Sequence, residues 1–211
     1  MFILFDVGAN WGTDSLERTR LDPNMRCFAF EPTPALAQHL YRESLRFSDR
    51  YVVNQVAVSD YDGVADFNIA AHADFNIAAH ADWGVSSLLD FAPNVSKTWA
   101  GRTDFYVDRV EPVQVIRLDT WFRETNPPIQ KIDFFHCDTQ GSDLAVLRGM
   151  GPYIDLIHEG VVETPQSAAV RLYDGQFTQE EMRDFLADND FDVYRIEAQQ
   201  NEDNLFFKKR R

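Results

Sequence analysis

Basic residues are scarce in this sequence. It has 20 Lys and Arg against 34 Asp and Glu, a formal net charge of −14 over 211 residues. A surface this acidic repels a phosphate backbone, so nucleic acid is not an expected partner. The one dense basic cluster, Lys208-Lys209-Arg210-Arg211, reads as a solvated tail. Cysteine is scarcer still. Cys27 and Cys137 each lie in an apolar run, so reduced, buried thiols and a cytoplasmic location are expected. No apolar stretch approaches the roughly 18 residues of a spanning helix, and no membrane partner is expected. The opening MFILFDVGAN lacks the basic start and long apolar core of a secretory leader, so the Asn94-Val95-Ser96 sequon carries no weight. The G-x-G-x-x-G fingerprint of nicotinamide binding is also missing.

What the sequence does contain is an alternation of short apolar runs and helical spacings. Phe2 to Val7 is apolar apart from Asp6, the pattern of a strand buried on both faces. A glycine-bearing turn leads into a helix from about Thr13. Cys27 to Phe30 reads as the second strand. Thr33-Pro34 then opens a helix, since Thr caps well and Pro suits the first helical position. A third strand is predicted over Tyr51 to Val58. This strand–helix order is the half-unit of an open, doubly wound α/β sheet. Further strands are expected at Val64 to Ile69, Val113 to Leu118 and Ile132 to Cys137. The Ile132 to Cys137 strand is followed by a helix from Ser142. A fifth core strand is read across Ile154 to Ile157 and Val161-Val162. Thr178-Gln179-Glu180-Glu181 is a capping box. Phe191 to Ile196 and Leu205 to Phe207 form an antiparallel finish.

Residues 65–72 read ADFNIAAH, and residues 73–80 repeat them letter for letter. Two copies are too few for a solenoid, so this is a local duplication in a hairpin or loop. An insertion of eight preserves the in/out alternation of a strand. One copy is expected to pair in the sheet. Residues 83–104 read as an irregular loop on the acceptor side.

The chemistry-bearing residues cluster at strand ends. Gly8 and Gly12, in Asp6-Val7-Gly8-Ala9-Asn10-Trp11-Gly12, allow a tight turn and close approach of backbone to a ligand. A carboxylate at Asp6 disfavours a pyrophosphate and suits a cationic or hydroxyl-rich ligand; S-adenosylmethionine offers an amine, a sulfonium and a ribose. Glu31 closes the second strand, near the spacing at which an acidic group grips ribose hydroxyls. Asp60 is read as ending the third strand and Asp138 the fourth, and ligands of such sheets bind beyond the carboxyl ends of the strands.

Four segments resemble the FkbM-type methyltransferase family. They are FDVGANWGTDS at 5–15, FAFEPTP at 28–34, AVSDYDG at 57–63 and IDFFHCDTQGSDLAVLRGM at 132–150. A fainter match runs from VVETPQ to LYDGQ over 161–176. Asp138-Thr139-Gln140-Gly141 is similar to the family's Asp-x-Glu/Gln-Gly signature. The resemblance implies a single Rossmann-like class I methyltransferase domain over residues 1–211. Its sheet would be seven-stranded and mostly parallel, with an antiparallel C-terminal hairpin and helices on both faces. It implies S-adenosylmethionine as cofactor, held by Asp6, Gly8, Ala9, Asn10, Gly12, Glu31, Asp60 and Asp138. It also implies an oxygen acceptor on a small molecule or glycan. Two features depart from the family: His136 stands where Lys is common, and the 65–80 duplication lies near the acceptor side.

Methyl transfer to a hydroxyl needs positioning and a base. Asp138 is the first candidate base, with His136 and Glu163 behind it. His72 and His80 come with the duplication and are read as solvent-facing. No ligand spacing assigns a metal, although Asp138 and Glu163 could share one. The competing readings are a nucleotide-dependent oxidoreductase and a methyltransferase-like binding module without turnover. The sequence leaves the acceptor and the oligomeric state open.

Overall fold

The computed structural model describes residues 1–71, 83–102 and 105–210. At its centre lies β1 (Phe2–Val7), hydrogen-bonded in parallel to β2 (Met25–Phe30) on one side and β7 (Phe134–Cys137) on the other. Alternate residues of β1 serve opposite faces, as pleating requires. Phe5 and Val7 enter the larger core, while Leu4 enters the smaller core on the opposite face.

The intervening elements, in chain order, are α1 (Thr13–Leu21), α2 (Pro34–Ser44), β3 (Tyr51–Asn54), β4 (Ala57–Val58), β5 (Gly63–Ala71), α3 (Val95–Thr98), β6 (Tyr106–Ile116) and α4 (Leu118–Thr125). After β7 come α5 (Asp143–Gly149), β8 (Glu159–Pro165), α6 (Gln179–Asp188), β9 (Phe191–Ala198) and β10 (Glu202–Lys209). The main sheet has seven strands in the order β3-β2-β1-β7-β8-β10-β9. Only β10 runs against its neighbours, so the sheet is mostly parallel with an antiparallel hairpin at its end, as expected.

The larger core lies between the sheet and α4, α5 and α6, and it is built on aromatics. The Phe5 ring stacks on Phe122 at 5.8 Å, meets Trp121 edge-on at 5.7 Å and lies 5.3 Å from Phe28. Such offset and edge contacts add to area burial. On the opposite face, α1 and α2 cover β1, β2 and β3 through Leu16 and Leu40. The half made of β7 to β10 presents rings roofed by cations. Arg18 lies over Phe134, Arg195 over Phe206 at 3.6 Å and Lys208 over Tyr194.

Several elements depart from the sequence reading. The strand expected over Tyr51 to Val58 is two strands. The chain leaves the main sheet after Asn54, and β4 pairs instead with β6, in a second sheet of order β4-β6-β5. Asp60 therefore follows a strand of the small sheet, not the third strand of the main one. The stretch Ile154 to Ile157 is a 3-10 turn over Gly151–Leu156, not the start of a strand. Gly151, at φ 50, and Pro152 set that turn, and Ile154 and Ile157 are buried from it. Helix α4 had no counterpart in the sequence reading; its buried Leu118, Trp121 and Phe122 do show helical spacing. In its described part, Lys208 to Arg210, the basic run is no free tail. Lys208 and Lys209 complete β10, with Lys209 Nζ 2.6 Å from Asp155 and Arg210 Nε 2.8 Å from Asp192.

The first octapeptide copy pairs along β6 over Ala65 to Ala71. The second copy, His72 and His80 lie outside the described residues. The 83–104 stretch contains a 3-10 turn at Trp83–Val85 and α3 in its described part. Among the described residues, no helix is long and apolar enough to cross a membrane. Cys27 and Cys137 are buried and unpaired.

Candidate active site

The turn after β1 is built by backbone that only certain residues tolerate. Gly8 adopts φ 83, and a Cβ there would stand 1.9 Å from the Asp138 carbonyl oxygen. This close approach lets the ends of β1 and β7 meet, with Asp138 N–H donating to the Val7 carbonyl at 2.9 Å. Gly12, at φ 64, leaves no room for a Cβ between Leu40 and the Tyr51 hydroxyl. Asn10 takes φ 51, a region Asn enters more easily than most residues.

Glu31 locks this turn to the end of β2. One carboxylate oxygen accepts the Asn10 N–H at 2.8 Å and the other accepts the Thr33 N–H at 2.8 Å. The residue is 4% exposed. Burial raises its carboxyl above the ordinary value, against the lowering effect of the Thr33 and Asn10 bonds. The Thr33 side chain also donates to this carboxyl.

These residues line one cavity at the carboxyl ends of β1 and β2. Gly8, Asn10 and Glu31 form one wall, Asp138, Thr139 and Gln140 another, and Val58, Phe67 and Leu88 an apolar third. Gly84 and Ser86 also reach it, so the stretch read as an acceptor-side loop borders this cavity. Asn10 Oδ1 is buried in the cavity wall without a hydrogen-bond partner. An orphaned acceptor of this kind fits a ligand that brings its own donors.

Four of the sequence-predicted residues thus come together: Gly8, Asn10, Glu31 and Asp138. Four do not line this cavity. Ala9 and Gly12 support the turn from below, beside Asp6, in a depression on the α1 side. Asp6 points there because residues 5 and 7 take the opposite face, and its Oδ1 lies 2.8 Å from His136 Nδ1. Asp60 lies beyond β4, where its carbonyl accepts from Arg117.

His136 sits on β7 directly beside Asp6 in register. Burial pulls its imidazole down, but the bond and charge of Asp6, with Asp138 and Asp143 nearby, prevail and raise it to about 9. The ring is charged at neutral pH, so it cannot serve as a base there.

Glu163 lies within β8, two residues before its end and opposite Asn204 of β10, near Asp138. Both carboxyls are raised above their ordinary values, first by burial. Asp143, wholly buried under them, accepts from Thr139 Oγ1 at 3.1 Å and is pushed up to about 7 by burial and by Asp138. Two residues that the sequence reading gave no role complete the group. Gln140 donates to Asp138 Oδ1 at 2.5 Å, and the buried Tyr173 hydroxyl donates to Gln140 Oε1 at 2.8 Å. Both lie inside the quoted family segments, but only contact geometry gives them a part. Among the described residues, no group of three or more His, Cys, Asp or Glu is arranged to hold a metal ion.

A sheet of this order, with its cavity over the tips of β1 and β2, defines a Rossmann-like methyltransferase fold. Comparison with known proteins takes this further. The methyltransferase FkbM domain matches residues 6–193, and the chain belongs to that family. It is 30% identical over 147 residues to the 2-O-methyltransferase NoeI of Sinorhizobium fredii. That match takes in 70% of this chain and 56% of NoeI, so the chain spans little more than half of this curated relative. Among solved structures it resembles methyltransferase FkbM from Methylobacillus flagellatus KT, with TM-score 0.57 and 14% identity. That likeness covers 98% of this chain and 44% of the other. TrmK of M. capricolum, solved with S-adenosylhomocysteine, gives TM-score 0.50 and 8% identity over 99% of this chain and 62% of its own. At these identities the two structures speak for the fold alone.

Proposed function

We propose that this chain uses S-adenosylmethionine to methylate an oxygen of a hydroxylated small molecule or glycan. The observation that carries the reading is the single cavity in which Gly8, Asn10 and Glu31 face Asp138. Its walls offer carboxylate and amide acceptors, which suit ribose hydroxyls and an amine, and among the described residues no Lys or Arg lines it for a phosphate. The name of NoeI, a 2-O-methyltransferase, supports oxygen as the acceptor atom.

Glu31 would take the ribose hydroxyls, and the Gly8–Asn10 turn the amino acid end. Gly8 matters there because its missing side chain opens the approach. The bound cofactor supplies a methyl carbon on a sulfonium, already a good leaving group. Asp138 borders the same cavity and accepts the proton of the acceptor hydroxyl. The freed oxygen pair would take the methyl carbon, with the carbon–sulfur pair returning to sulfur to leave S-adenosylhomocysteine. His136 and Asp6 place a charge pair behind Asp138; the cation favours its ionised form. The two free thiols suit a reducing, cytoplasmic compartment. The net charge of −14 turns the reading away from nucleic acid.

Calorimetry with S-adenosylhomocysteine tests this. The wild type should bind it and should not bind NADH. Glu31→Ala removes a charged hydrogen-bonding group worth about 1.5–3 kcal/mol, so affinity should fall roughly tenfold or more. Failure of the wild type to bind S-adenosylhomocysteine, or competition by NADH, would overturn the assignment.

A further inference from the structure

Gln140 holds an unfavourable backbone conformation for a non-glycine residue, with φ 54, and Gly141 follows at φ 97. Such a conformation persists when its surroundings over-determine it, and it clusters at functional sites. The surroundings here are specific. The Gln140 amide nitrogen donates to Asp138 Oδ1 at 2.5 Å and reaches Glu163 Oε2 at 3.4 Å. Its amide oxygen accepts from the Tyr173 hydroxyl at 2.8 Å, which shares its proton with the Val85 carbonyl, also at 2.8 Å. Its backbone carbonyl accepts from Ser87 Oγ at 2.7 Å. The Asp138 carboxylate only accepts, and that fixes which end of the amide carries the hydrogens.

We propose that Gln140, oriented by Tyr173, is a positioning residue that gives two neighbouring carboxyl groups, Asp138 just past β7 and Glu163 within β8, unlike roles: Asp138 takes the acceptor's proton, while Glu163 keeps its own and offers a hydrogen bond. This rests on the methyltransferase reading above. The two carboxyls meet different neighbours. Asp138 receives the short bond from Gln140 and faces the charged His136 on its own strand, with Asp6 of β1, Asp143 of α5 and Glu163 as opposing charges. Glu163 receives only the long bond and faces three carboxyls: Asp138, Glu202 of β10 and Asp143. Arg102 lies near enough to act on Glu202 and Tyr173. Burial penalises both charges, so the group with the donor and the cation ionises first. Two titratable groups driven apart by their surroundings divide the acid and base roles.

The test is a carbon-13 NMR titration of the Asp138 and Glu163 carboxyls in the full chain, with and without S-adenosylhomocysteine. The midpoints belong to a coupled group, so their separation is the quantity to follow. In the wild type Asp138 should lose its proton first, with midpoints separated by about one pH unit or more, a tenfold difference. Gln140→Leu should collapse that separation. Tyr173→Phe keeps the ring stacked on Phe91 and should narrow the separation in the same direction, which guards against a Gln140 variant that fails to fold. The proposal is overturned if Glu163 deprotonates first, or if both variants leave the separation unchanged. The titration needs no turnover. A failure of the methyltransferase reading would appear separately, as absent S-adenosylhomocysteine binding.

Discussion

Replacing Gly8 by alanine tests the junction on which the site is built. The new Cβ would lie 1.9 Å from the Asp138 carbonyl oxygen and 2.7 Å from its carbon. Both are backbone atoms, so no side chain can swing away, and β1 or β7 must move. The left-handed φ adds about 1–2 kcal/mol for any residue with a Cβ. Forcing extra volume into packed structure costs about 1–3 kcal/mol more. The expected loss is therefore about 2–5 kcal/mol in urea denaturation, with weakened S-adenosylhomocysteine binding. Gly175→Ala is the internal control. Gly175 has φ 72, but nothing stands within 4 Å of its would-be Cβ. It should show the backbone cost alone. If Gly8→Ala and Gly175→Ala lose the same stability, the β1–β7 contact is not what the glycine protects.

Two further outcomes follow from the core and the charge pair. Phe5→Ala empties a fully buried site among five rings and should cost about 3–5 kcal/mol in the same assay, whereas a loss below about 1 kcal/mol would refute the aromatic centre. His136 is raised to about 9 when folded, above its ordinary 6.5. Its stabilisation is thus complete below about pH 6.5 and lost as pH rises through about 9. The Tm gap between wild type and His136→Gln should be wider at pH 6 than at pH 10. Solvent screening keeps that gap modest, since 42% of the side chain is exposed. A gap that grows with pH would reverse the assigned sign.

Elements whose signal is local were legible in the sequence. Phe2 to Val7, the Thr33-Pro34 helix start and the Thr178–Glu181 capping box all carry their determinants within a few residues and appear in place, although the Thr33 side chain makes no cap bond and Pro34 alone marks that start. Elements decided by distant partners were not. Nothing in Tyr51 to Val58 says that Ala57 and Val58 will leave for β6, because the pairing with Val115 and Ile116 is set across the fold. The same holds within the site. Strand-end position points to Gly8, Glu31 and Asp138, and these three line one cavity. Its place beside the glycines suggests Asp6 for the cofactor cavity, yet strand alternation turns it to the opposite face. Gln140 and Tyr173 lie 33 residues apart, and only the closed chain shows that one holds the other.

The cation-roofed rings of β7 to β10 bear on how the protein behaves at high concentration. Phe134, Phe206 and Tyr194 form a sticky surface that Arg18, Arg195 and Lys208 render wettable by laying their stems and charges across it. In a chain so short of positive charge, three of its few cations are committed to this shielding. Replacing Arg18, Arg195 and Lys208 together by uncharged residues would strip this cover from the rings and leave them open to self-association.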